Sequence, residues 1–181
     1  MAQWLFSARQ RFTPAHPGWR SYLEFSGFTH VAEVVTLDSI LCADLVETLL
    51  EEDWNHNVQA DYRLTWFTDV VYLRQRLPWR ADQHQILAMA ENPTQQQPVP
   101  PGFEFCGFDI LDGYDDISVL TNCGQFLGQG SGFTPADINP RGLLPDLHRA
   151  RKAAAQLRSA FPDDPHCGRC QVWQVARDRT L

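Results

Sequence analysis

The stretch GFEFCGFDILDGYDDISVLTNC, residues 102–123, decides the reading of the fold. Aromatic and β-branched residues fill both arms, GFEFCGFDIL (102–111) and ISVLTNC (117–123), and DGYDD joins them. An apolar run that breaks into Asp-Gly and then resumes is a hairpin signal, because that dipeptide tolerates the backbone of a tight turn. The expectation is an antiparallel strand pair.

Working outward, QILAMAE (85–91) and CQVWQVAR (170–177) also read as strands. Residues 20–37, RSYLEFSGFTHVAEVVTL, read as two short strands around the turn SGFT. Leu41, Leu45 and Leu49 repeat every four residues, with Cys42, Val46 and Leu50 beside them, so LCADLVETLLEEDW reads as a helix capped by Asp38 or Ser39. A second helix is expected over 65–78, with Thr68 as cap and Pro78 as stop. The clearest helix is 143–161. There Leu147, Ala150, Ala154, Leu157 and Phe161 alternate three and four apart, and Pro162 closes it. TPAD (134–137) is a further short helix opening. The Pro/Gln-rich segment 93–102 reads as a surface loop. Strands and helices mix without a βαβ rhythm. The expected class is α+β: a single domain, 1–181, with a mainly antiparallel sheet and about three helices packed on it.

The 181 residues suffice for a core without staples. The net charge of −7 argues against nucleic acid, whose phosphate backbone needs a basic face. Lys152 is the sole lysine beside fourteen arginines, which reads as compositional bias. Five scattered cysteines do not form a secreted disulfide framework. MAQWLFSARQRF has no apolar stretch of signal-peptide length, and no run reaches the roughly 18 residues of a membrane span. A cytoplasmic location with reduced thiols is expected, in a small bacterial protein.

Four groups of residues invite chemistry. PHCGRCQVW (165–173) sets Cys167 and Cys170 at the spacing of a zinc half-site, with His166 adjacent. A second pair is missing from the sequence, so Cys106, Cys123 or His148 would have to complete the shell. Glu51, Glu52 and Asp53 end the first helix beside Trp54, and an aromatic among acids suits a surface for a basic partner. Asp112, Asp115 and Asp116 crowd the hairpin turn with the same implication. Cys123 sits where a strand meets a glycine, and GQGSGF (128–133) matches neither a phosphate loop nor a nucleophile elbow. The leading expectation is a non-catalytic, immunity- or inhibitor-like module that masks a basic protein. The alternative is a zinc-supported enzyme or zinc-binding domain built on Cys167 and Cys170.

Overall fold

The computed structural model describes residues 3–45, 58–60, 65–77, 82–114, 117–122 and 132–180. Its strands are β1 (Leu5–Gln10), β2 (Val58–Ala60), β3 (Thr65–Phe67), β4 (His84–Glu91), β5 (Phe103–Leu111) and β6 (Gln171–Asp178). They form one sheet in the order β2-β3-β1-β4-β6-β5, and every pairing is antiparallel. Three α-helices accompany it among the described residues: α1 (Trp19–Ser26), α2 (Val70–Arg76) and α3 (Leu147–Ala160). The α+β class read from the sequence is the class found.

β4, β5 and β6 are buried along nearly their whole length, because both faces of the sheet are covered. One face presents Phe6, Ala8, Ile86, Ala88, Phe108, Ile110, Val172 and Ala176. Leu73 of α2 joins the cluster around Phe6 and Ile86. Ala150, Ala153, Ala154 and Leu157 of α3 join the cluster around Phe108 and Ile110. Small residues on α3 let the helix approach closely. The other face presents Leu87, Met89, Cys106, Leu111, Trp173 and Val175, and irregular chain covers it through Val35, Leu37 and Leu143.

Several elements differ from the sequence reading, each for a physical reason. Residues 19–26 are helix, not strand. Their aromatics suggest β structure, but Trp19 and Tyr22 pack with Phe12 and Phe28 at ring separations of 5.2 to 6.4 Å, a contact a helix face supplies equally well. Residues 31–37 contribute one isolated bridge, Phe12 to Val34, and otherwise lie across the sheet. Asp38 does accept from the amides of Ile40 and Leu41, as a cap would. No helix follows in residues 41–45, where Asp44 bridges to Arg9, and 46–57 lie outside the described residues. Over 65–77 the chain is first strand and then helix, and Asp69, not Thr68, caps α2 by accepting from the amide of Val71. The arm 117–122 makes only the bridge Leu111 to Ser118 before turning away. β1 and the short β2 have no counterpart in the sequence reading.

The Pro/Gln-rich segment is a loop, but part of it is buried. Gln174 on β6 is fully buried, accepts from the Gln97 amide at 2.7 Å and donates back to the Gln97 carbonyl at 2.8 Å. This reciprocal pair fastens the loop over the sheet. Replacing Gln174 with Leu leaves both backbone groups of Gln97 buried without partners, and an orphaned group costs about 1–3 kcal/mol. Urea unfolding of Gln174→Leu should show a loss of about 2 kcal/mol or more. A loss below about 0.5 kcal/mol would show that the loop is held by something else.

Candidate functional site

Two motifs that are 54 residues apart in the chain meet in space. Asp112 directly follows β5, and one of its carboxylate oxygens accepts from the amides of Tyr114 and Ile117, which shapes the turn. The other oxygen lies 2.6 Å from His166 Nδ1. The Gly113 amide donates to the His166 carbonyl at 2.9 Å, and a Cβ on Gly113 would fall 2.2 Å from the Cβ of Arg169. Only glycine lets these two turns lie backbone to backbone. The Tyr114 ring stands edge-on to the His166 ring at 5.6 Å while 62% of the residue faces solvent. Asp112 itself is buried, so its part in the turn is to position Tyr114 and His166. Glu51, Glu52, Asp53, Trp54, Asp115 and Asp116 lie outside the described residues, as does Cys123.

Cys167 and Cys170 flank a single 3-10 turn over Cys167–Arg169. Both are buried in the cluster with Phe108, Ile110 and the alanines of α3, and the Cys170 thiol donates weakly to the Ala154 carbonyl. Burial pushes Cys167 up to about 12, with Asp164, Cys170 and Asp112 adding negative charge. Burial raises Cys170 to about 11 against the pull of Arg158. The same cause raises Cys42 to about 12 and Cys106 to about 11. Among the described residues, no group of three His, Cys, Asp or Glu side chains is placed to hold a metal ion. A thiol must ionise to bind zinc or to react. Alkylation with iodoacetamide at pH 7.5, followed by peptide mass spectrometry, should therefore leave Cys42, Cys106, Cys167 and Cys170 unmodified until denaturant is added. Rapid labelling of Cys167 in the folded protein would overturn their assignment to the core.

Scattered arginines build a second polar assembly, which no sequence motif announces. Arg177 on β6 donates to both oxygens of Glu33 at 2.8 and 2.7 Å and, through Nε and Nη2, to Glu104 on β5. Arg141 also donates to Glu104 at 2.9 Å, and Arg11 lies 3.6 Å from Glu33. Burial alone would raise the Glu104 carboxyl, but Arg177 and Arg141 hold it below its ordinary value. No sequence signal announces it: Glu104 and Arg177 face each other only once β5 and β6 pair in register.

The chain matches no protein-family model, no curated protein and no solved structure, so function is read from this geometry. No helix among the described residues is long and apolar enough to cross a membrane.

At the same end of the sheet, Arg74 of α2 donates to Asp178 at 2.6 Å, and Thr180 donates to the second oxygen through its amide and hydroxyl. Burial favours the neutral acid, but these donors outweigh it and hold the Asp178 carboxyl below its ordinary value. A depressed carboxyl stabilises the fold above its unfolded value and loses that contribution as pH falls through its folded value. Arg74→Met should therefore cost about 2 kcal/mol at pH 7, where Asp178 is charged and buried. The difference from the parent protein should shrink toward pH 2. An equal deficit at both pH values, measured by urea unfolding, would show that only packing was lost.

Proposed function

We propose that the protein is a non-catalytic binding module that engages a basic protein partner through the turn at 112–116, as an immunity or inhibitor protein does. The observation that carries this is the placement of Tyr114. It is an exposed aromatic in a sequence of aspartates, and Asp112, Gly113 and His166 fix it from beneath. A rigid, amphipathic ring at a turn tip loses little conformational entropy on binding, which is why tyrosine recurs as an anchor at interfaces. Asp115 and Asp116 follow it in sequence and supply the charge that would steer a basic surface toward it. Glu51, Glu52, Asp53 and Trp54 repeat the combination of acids and an aromatic, and would extend the contact. Burial of the described thiols also supports a binding role, since it withholds them as nucleophiles.

The test begins with in-cell cross-linking and isolation of the protein with its bound partner, followed by calorimetry on the two purified components. The partner should be basic, and affinity should fall as salt rises. Tyr114→Ala should weaken binding about tenfold or more, the cost of removing an anchor. Glu52→Lys with Asp115→Lys should abolish the complex. Unchanged affinity in Tyr114→Ala and in the double variant would remove the proposal.

A further inference from the structure

The arginine assembly borders a cleft that sets positive charge against the acidity of the chain. The cleft holds about 230 Å³ and is lined in part by Arg11, Arg177, Arg179, Gln85, Glu104 and Asp178. Both carboxylates are already engaged, Glu104 by Arg177 and Arg141 and Asp178 by Arg74. Behind them Glu33 is shared among Arg11, Arg141 and Arg177. Five guanidinium groups therefore face three carboxylates, in a protein whose net charge is −7. Arg179 is exposed at the rim.

Two buried atoms in the lining lack a hydrogen-bond partner among the described residues. Arg11 Nε is a donor, and Gln85 Oε1 is an acceptor on a side chain only 4% exposed. Buried polar groups are normally satisfied. A ligand that satisfies both must accept from arginine and also donate once. Ionised carboxylates and sulfate are acceptors only, and leave Gln85 Oε1 unmet. A phosphate group that keeps one proton has both capacities, and its oxygens match the fork of a guanidinium.

We infer that this cleft binds a protonated phosphate group, as free hydrogen phosphate or as the monoanion of a small phosphomonoester. The arginines take the charged oxygens, and the remaining P–OH donates to Gln85 Oε1. The site is independent of the turn at 112–116, and its ligand has the opposite charge to the partner proposed there.

Isothermal titration of the full chain at pH 6.5, with sodium phosphate, glycerol 3-phosphate and sodium sulfate at matched ionic strength, tests the assignment. At least one phosphate ligand should bind about tenfold tighter than sulfate, because a site built around an acceptor rejects a ligand without the matching donor. Whichever phosphate binds tighter identifies the source. Gln85→Leu should erase the preference over sulfate while retaining sulfate binding. Arg179→Gln, an exposed change that leaves the core intact, should weaken every anion severalfold. Equal affinity for sulfate and both phosphates, no heat from any anion, or an unaltered phosphate affinity in Arg179→Gln would each overturn the inference.

Discussion

The carboxylate of Asp109 is the interaction on which the rest of this fold depends. It projects from β5 into a fully buried position and accepts from the hydroxyls of Thr36 and Ser118 at 2.5 and 2.6 Å. The amides of Leu37 and Ile110 add two further donors. Burial raises its pKa, while Ser118, Thr36 and Leu37 pull against that shift. Asp38 sits beside it, also buried, and accepts from the Ser118 amide and the Asn122 side chain. Together the two acids tie 34–42 and 117–122 to the edge of the sheet. Both segments lack regular structure, so their buried backbone groups need partners that strands or helices would otherwise supply. A carboxylate that accepts several bonds at once meets that need more compactly than any apolar residue could. The raised pKa shows the cost: Asp109 opposes folding increasingly as pH rises from its unfolded value through its folded one.

The same arrangement explains how much of the fold the sequence disclosed. β4, β5, β6 and α3 were legible because their apolar periodicity matches their own geometry, and each is buried by neighbours of ordinary kind. Residues 27–45 and 117–122 differ from the sequence reading because their apolar content is as high as a strand's, yet their amides bond scattered loop carbonyls, such as those of Phe12, Pro140 and Arg141, and the side-chain oxygens of Thr36, Asp38, Asp109 and Ser118 in place of a ladder. Val35 and Leu37 look like strand residues and are in fact a lid on the sheet, held by Thr36 bonding Asp109 between them. Asp109 and Asp112 illustrate the limit differently. In sequence they belong to one acidic cluster. In space the first is a core anchor and the second a turn former, and only tertiary contacts separate those roles. For the candidate site, the sequence groups Cys167, Cys170 and His166 by spacing as a zinc half-site, and the structure places both thiols in the core and His166 against Asp112. The partner of His166 was invisible, because Asp112 is brought to it by the pairing of β5 with β6.

β5 also shows how a local irregularity serves both faces of the sheet. The register with β6 shifts between Phe105 and Gly107, which is a bulge. Gly107 has a φ of 145°, and a Cβ there would meet Leu143 at 2.7 Å and the Leu144 carbonyl at 2.9 Å. The segment 139–144 can therefore lie against the strand, with Leu144 exchanging backbone hydrogen bonds with Phe108 and Asn139 donating to the Cys106 carbonyl. That contact delivers Arg141 to Glu104 on the same strand. One glycine thus sets the approach of an irregular segment and the position of a charged group at the cleft.

The arginine bias of the chain acquires a physical reading in this light. Arg9 is completely buried, donating to Ser7, to Ser39 and to the Cys42 carbonyl. Arg177 spans two carboxylates with three nitrogens, and Arg158 caps the Cys170 carbonyl at 2.7 Å. Each uses the planar, multidentate geometry of guanidinium and its weak hydration, neither of which lysine offers. Composition alone could not distinguish arginines chosen for this purpose from arginines favoured by coding bias. Several of the basic groups are therefore engaged inside the structure, holding irregular chain to the sheet. At the sheet's end Arg11 and Arg179 border the cleft, while the chain as a whole stays acidic. An acidic protein can in this way keep a local site for an anion, because its arginines are fixed by neighbouring carboxylates and not by the net charge.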